Sequence, residues 1–377
     1  MTSVVQHRVR TQDGITLAAE YYRHDGDRPV VLLLHGGGQN RHAWSTSARR
    51  LRSRGYSVVA YDTRGHGDSD WDPAGRYDVE RLATDLIAVR NHFSLDKPPA
   101  VVGASLGGMT ILGAHLLEPA DLWGAVVLVD VTPRLEFAGA RRVVSFMAAH
   151  PEGFGTLDEA AEVIAAYNPH RARPDNVDGL RKVLRQRVDG RWVWRWDPAF
   201  IYSNFDFVRG GASAGCEQFD VISRLLVDGA RHLSAPTLLV RGLLSDVVSQ
   251  TTVDEFTQLV PHAETVDVSG AGHMIAGDDN DAFTAAVTEF LDLQCPVCAE
   301  ASKQTLPTLI NDYVRTGKVK LEARTLHFIG ADSVRAARMA AGTCLQEQKK
   351  WAEAAAQFET ARASHPAEKD QPRLLYE

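Results

Sequence analysis

The chain has 377 residues, 44% of them hydrophobic and 24% charged, with a formal net charge of −7. That balance fits one large globular domain plus a further piece, and it leaves no basic field for nucleic acid. No apolar run is long enough to span a bilayer, and the polar start MTSVVQHRVR lacks a signal peptide's apolar segment, so cytosolic residence away from membranes is expected.

In chain order, Val4 to Glu20, broken at Asp13-Gly14, reads as an opening antiparallel hairpin. Pro29-Val30-Val31-Leu32-Leu33-Leu34 reads as a fully buried strand that exits into the Gly-rich stretch His35-Gly36-Gly37-Gly38-Gln39-Asn40. Small residues at such an exit let a ligand approach free backbone N–H groups. The stretch lacks the spacing of a P-loop or a dinucleotide fingerprint, so no nucleotide cofactor is expected. His35 and His66 sit in turns without metal-ligand spacing, and no metal is expected either. Asp62 and Asp68 read as turn-forming residues whose carboxylates bond nearby N–H groups. Between Asp78 and Phe93 the apolar residues Val79, Leu82, Leu86, Val89 and Phe93 repeat at helical spacing, one face of a helix lying on a sheet.

The most informative segment follows. Gly103-Ala104-Ser105-Leu106-Gly107 lies between the apolar run Ala100-Val101-Val102 and the apolar segment Met109-Thr110-Ile111-Leu112. A serine among small residues between a strand and a helix is a nucleophile elbow, which holds the hydroxyl above the sheet edge on a tight, strained turn. Farther on, Ala125 to Val129 is a strand ending at Asp130, and Thr237-Leu238-Leu239-Val240 is another, followed by a loop bearing Asp246. Glu264 to Val268 alternates as a strand and runs into Ser269-Gly270-Ala271-Gly272-His273. Ser105, Asp246 and His273 thus occur in the order Ser, Asp, His, each just past a predicted strand. In a parallel sheet those strand ends share one edge, so the three can meet. His273 would take the serine proton while a carboxylate orients it; Asp246 is preferred as that carboxylate, with Asp130 a rival. Val253, Phe256 and Leu259, and then Phe283, Val287, Phe290 and Leu291, mark further helices. Alternating strands and helices predict an α/β fold with a doubly wound, mostly parallel sheet.

With these motifs assembled, residues 1 to about 293 resemble the α/β-hydrolase superfamily. The stretch HGGGQNRHAW is similar to its oxyanion loop, and Tyr61-Asp62-Thr63-Arg64-Gly65-His66-Gly67-Asp68-Ser69 to the turn after its next strand. The resemblance implies the backbone N–H groups of Gly37 and Leu106 as oxyanion donors. Serine at the elbow, rather than aspartate, speaks against the alkyl-enzyme chemistry of the epoxide-hydrolase and dehalogenase branches. Ala104 stands where many relatives carry His or a larger residue, which removes a clue to substrate.

Residues 1–131 and 233–293 would form the hydrolase core, and 132–232 an inserted, mostly helical lid. Within the lid Trp192, Trp194 and Trp196 alternate with Val193 and Arg195, which places the indoles on one side of an extended segment. They either wall an apolar substrate pocket or glue lid to core. The basic residues Arg181, Lys182, Arg185, Arg187 and Arg191 read as a solvated helix face, with carboxylate recognition the alternative.

The C-terminal region is expected to be a mainly helical appendage. Cys295-Pro296-Val297-Cys298 heads a segment, 294–340, that resembles the start of a DsbA-like thioredoxin-fold oxidoreductase, without the later strands and proline loop of such a domain. In 341–377, Gly342, Leu345, Trp351, Ala354, Phe358, Ala361 and Pro366 match the spacing of a single tetratricopeptide repeat. Three functions are therefore expected to compete. The leading one is a cofactor-independent serine hydrolase acting on a small-molecule ester, lactone, thioester or related acyl compound, with perhydrolysis and carbon–carbon bond hydrolysis as side branches. The others are thiol–disulfide exchange through Cys295 and Cys298, and a scaffold that binds a protein partner through the repeat-like tail.

Overall fold

The structure, a computed structural model, describes residues 4–26, 28–93, 97–118, 122–169, 176–205, 212–273, 286, 287, 290 and 291. The expected thioredoxin-like and repeat-like segments, with Cys295 and Cys298, lie outside the described residues. The chain divides into two units, Met1–Val266 with Gly270–Asn280, and Asp267–Ser269 with Asp281–Glu377. All the side chains of the candidate site belong to the first.

An eight-stranded sheet organises that first unit. It opens with β1 (Val5–Arg10) and β2 (Thr16–Tyr22), an antiparallel hairpin in which Arg10 faces Thr16. The next strands are β3 (Val31–Leu34), β4 (Val58–Tyr61), β5 (Ala100–Ala104) and β6 (Ala125–Val129). Every residue of these four is buried, and they read in sequence as unbroken apolar runs because helices cover both faces of a parallel sheet. Two more strands, β9 (Thr237–Gly242) and β10 (Ala263–Val268), complete the order β1-β2-β4-β3-β5-β6-β9-β10. β5 lies between β3 and β6, so the ends of β3, β5 and β6 are neighbours on one edge.

Helices α1 (Ser45–Ser53), α2 (Val79–His92) and α3 (Leu106–Leu117) flank the sheet. Asp78 caps α2 by accepting from the Arg81 N–H, and its apolar face buries Leu82, Leu86 and Val89 in the core cluster. After β9 comes α8 (Gln250–Leu259), which starts with a reciprocal Ser249–Thr252 cap and buries Val253 and Phe256. Of the expected closing helix, Ala286, Val287, Phe290 and Leu291 are described, and they are helical.

Between β6 and β9 lie α4 (Phe137–Ala148), α5 (Leu157–Tyr167), the two-stranded hairpin of β7 (Leu184–Gln186) and β8 (Trp192–Trp194), α6 (Pro198–Asn204) and α7 (Ala212–Arg231). The basic stretch is not one helix face. A short turn of 3-10 helix, Asp178–Lys182, gives way to β7, so Arg185 sits on a strand. Nor does the whole of 132–232 stand apart from the sheet layers, since Leu226 and Ala230 of α7 join the same core cluster as Ile111 and Leu112 of α3. Polar contacts tie the lid hairpin to the turn after β4. The Gly67 N–H donates to the Arg195 carbonyl at 2.7 Å, the Asp197 N–H to the Gly65 carbonyl at 2.7 Å, and Arg195 pairs with Asp68 at 2.9 Å. Asp197 also accepts a short hydrogen bond from the Tyr77 hydroxyl.

Candidate active site

Ser105 sits at the junction of β5 and α3 with φ 47° and ψ −111°, an unfavourable conformation for a residue bearing Cβ. The two glycines of the elbow make this turn sterically feasible. A Cβ at Gly103 would lie 2.5 Å from the Gly107 carbonyl carbon, and one at Gly107 would lie 2.6 Å from the Leu34 carbonyl oxygen. Backbone therefore packs on backbone beneath the serine, and the hydroxyl is thrust out of the sheet edge.

His273 reaches Ser105 from the loop after β10. Its Nε2 lies 3.1 Å from the Ser105 Oγ and its Nδ1 lies 2.7 Å from Oδ2 of Asp130. A carboxylate on Nδ1 places the ring proton there and leaves Nε2 as the acceptor for the serine hydroxyl. The acidic partner of His273 is therefore Asp130, where sequence order had favoured Asp246. β6 lies directly beside β5, so a residue one step past β6 is within a single imidazole's reach of the elbow. Asp130, like Ser105, takes a positive φ, 49°. The rest of its carboxylate is satisfied too: Oδ1 accepts from the Gly242 N–H at 3.0 Å and Oδ2 from the Ser245 hydroxyl at 2.6 Å. Ser245, which sequence reasoning passed over, in turn accepts from the Val247 and Val248 N–H groups.

Asp246 is turned the other way. It forms a bidentate pair with Arg142 of α4 at 2.6 and 3.0 Å, and both side chains are about half exposed. Burial alone would raise the Asp246 carboxyl, but the hydrogen bond and charge of Arg142 outweigh it and hold it below the ordinary carboxylate range. Asp246 thus fastens the lid helix to the loop after β9.

The Gly-rich loop passes close over the elbow, with a Cβ at Gly36 falling 3.5 Å from the Ser105 Cβ. The N–H groups of Gly37 and Leu106 have no acceptor among the described residues, whereas that of Gly38 donates to Nε2 of His66 at 3.1 Å. His66 also contacts the Arg64 carbonyl through Nδ1, and His35 bridges the Gly36 carbonyl and the Thr63 N–H. Both rings are wholly buried struts of the loop. Burial lowers His35 to about 4 and His66, helped by the neighbouring His35 ring, to about 3. Because their folded values are depressed, the unfolded chain binds more protons below pH 6.5, the ordinary value, and stability falls as pH drops through that window. Each histidine is expected to contribute a loss of about 2 kcal/mol by about pH 5. Denaturant titrations across pH check this: His66→Gln should flatten the profile, and an unchanged slope would refute it.

Asp62 serves the same loop. It accepts from the Asp68 N–H at 2.8 Å, as its turn-forming reading expects, and also from the backbone and guanidinium of Arg41. The three lid tryptophans span two clusters, with Trp194 packed in both. Trp194 and Trp196 stack at 4.5 Å and join Tyr77, Met147 and Phe200 in a cluster that includes Leu106, beside Ser105. Trp192 packs with Phe154 and Leu184 inside the lid, under the guanidinium of Arg181. Among the described residues no group of three or more His, Cys, Asp and Glu is placed to hold a metal ion. No described helix is long and apolar enough to cross a membrane.

A serine on an elbow, an imidazole and a buried carboxylate in hydrogen-bonded sequence on a mostly parallel sheet define the class of α/β proteins with a hydrolase-type site. The chain belongs to the α/β hydrolase fold family, whose family model matches residues 29–279. A second model, described as thioredoxin, matches residues 272–373, a span that crosses both the thioredoxin-like and the repeat-like segments. Among its relatives, Esterase Rv0045c of Mycobacterium tuberculosis is 33% identical over 279 residues, which is 72% of this chain and 85% of that protein. A solved structure of the M. tuberculosis esterase Rv0045c superposes with a TM-score of 0.56 at 31% identity, covering 77% of this chain and 92% of the other. The structure of E-2-(acetamidomethylene)succinate hydrolase superposes with a TM-score of 0.63 at 25% identity, covering 77% and 100%. The relatives are esterases and hydrolases.

Proposed function

We propose that the protein is a serine hydrolase that cleaves an ester, lactone, thioester or related acyl compound through an acyl-enzyme. The observation that carries this is the continuous Ser105–His273–Asp130 relay, with contacts of 3.1 and 2.7 Å. Ser105 attacks the acyl carbon as His273 Nε2 takes its proton, and Asp130 holds the ring and stabilises the imidazolium. Charge developing on the carbonyl oxygen is met by the N–H groups of Gly37 and Leu106. His273 then protonates the leaving group, and water repeats the sequence to release the acid. Met147 and Phe200 lie over Gly37 and present an apolar wall to the acyl compound. The relay needs no cofactor.

A fluorophosphonate should label the protein at Ser105, and Ser105→Ala should abolish both labelling and para-nitrophenyl ester hydrolysis. Labelling that persisted in Ser105→Ala would refute the assignment. For the C-terminal segment, the thioredoxin match favours a second reading, thiol–disulfide exchange through Cys295 and Cys298. Insulin reduction lost in Cys295→Ser tests it.

A further inference from the structure

A cleft of about 200 Å³ opens on the lid, and neither Ser105, Asp130 nor His273 lines it. Its walls are apolar and aromatic, with Met147, Trp194, Trp196 and Ile201 inside and Trp71 at the rim. Two arginines, Arg185 and Arg187, also face it. Arg187 is neutralised by Asp189 at 2.6 Å. Arg185 stacks its guanidinium over the Trp71 ring at 4.7 Å and has no carboxylate partner among the described residues. The indole N–H of Trp194 is buried without an acceptor among the described residues. The cleft therefore combines an apolar interior with an unneutralised planar cation, and the Trp194 N–H lies buried behind its wall.

Met147 separates this cleft from the oxyanion loop. It lines the cleft, and its sulfur lies 3.7 Å from where a Cβ on Gly37 would stand. Trp196 is similarly placed against Gly38. Met147 is buried between the two, and because an unbranched thioether is the most adaptable of apolar partitions, its rearrangement is what would let a chain leaving Ser105 reach the cleft.

We propose that the cleft holds the remote end of the substrate, and that this end is an apolar or aromatic group bearing a carboxylate. The proposal rests on the Ser105 reading above and names the substrate class of that site. A cavity of about 150 Å³ accommodates a benzene ring, so this one has space for a ring or a short chain with its terminal group. A guanidinium already stacked on an indole presents its fork with little ordering left to lose, and that fork fits a carboxylate.

The test uses the full-length protein and two para-nitrophenyl esters of matched length, the half-ester of suberic acid and the octanoate. Arg185→Gln should lower kcat/KM for the suberate half-ester about five-fold relative to octanoate, the size expected for a charge pair at a partly exposed rim. Equal losses on both esters would overturn the proposal. Calorimetric titration decides it independently of turnover: phenylbutyrate should bind the wild type about five-fold more tightly than phenylbutanol, with the difference gone in Arg185→Gln. Equal affinities for the wild type would overturn it. If neither ester is cleaved and Ser105 resists the fluorophosphonate, the hydrolase reading fails, while the titration still decides the cleft.

Discussion

Asp130→Asn is expected to lower kcat by about 10⁴-fold while the protein stays folded, because the amide oxygen can still accept from the Gly242 N–H but the NH2 then stands where Oδ2 met Ser245 and His273, so the His273 tautomer is no longer fixed. Asp246→Asn should cost less than about ten-fold, since it only weakens a half-exposed pair with Arg142 on the lid. The two substitutions are chemically identical and separate two carboxylates that sequence alone places in rivalry. Steady-state kinetics on a small ester, with circular dichroism to verify folding, measures the difference. A disabled Asp246→Asn beside an active Asp130→Asn would return the acid role to Asp246. Losses from Ser105→Ala and Asp130→Asn should not add, because the residues act as one unit.

The largest expected effect on stability comes from Arg64→Met. The Arg64 side chain is 1% exposed and holds Asp85 at 2.7 Å, Asp72 at 3.2 Å and Asp13 at 3.0 Å; the first two carboxylates are fully buried. Removing the guanidinium leaves Asp85 without its cation, and breaking one side of a buried pair costs about 3–5 kcal/mol. Urea denaturation should show this loss. Converting the partner as well, in Arg64→Met with Asp85→Leu, should recover part of it, because the stranded charge is then gone. A single variant within about 0.5 kcal/mol of the wild type would mean that the network contributes little. The network anchors α2 to the turn after β4, the turn that also receives the lid hairpin through Gly65, Gly67 and Asp68.

Much of this organisation was legible in the chain. Apolar runs such as Val31–Leu34 and Ala125–Val129 could only be interior strands, because every residue in them must be covered on both faces of the sheet. The elbow was legible because the turn at Ser105 tolerates no Cβ at Gly103 or Gly107, a constraint written into residue identity. His273 was legible for a related reason, being the histidine at a Gly-rich strand exit that follows the serine and the aspartates in chain order.

What only the tertiary structure decided concerns choices among residues of equal chemistry. Asp130 and Asp246 both follow strands, and selection between them depended on β6 lying beside β5 and on Arg142 arriving from the lid to claim Asp246. Neither of these is a local property. The tryptophans show the same limit: a period of two in sequence groups them, and only the packing shows that Trp192 belongs to the lid's own cluster, Trp196 to the cluster that includes Leu106, and Trp194 to both. Residue type and spacing determined the fold, the elbow serine and the histidine that meets it, since each is enforced by steric or solvation limits within a few residues. The acid and the composition of the lid cleft were set by contacts between segments far apart in the chain, whose energies no single segment encodes.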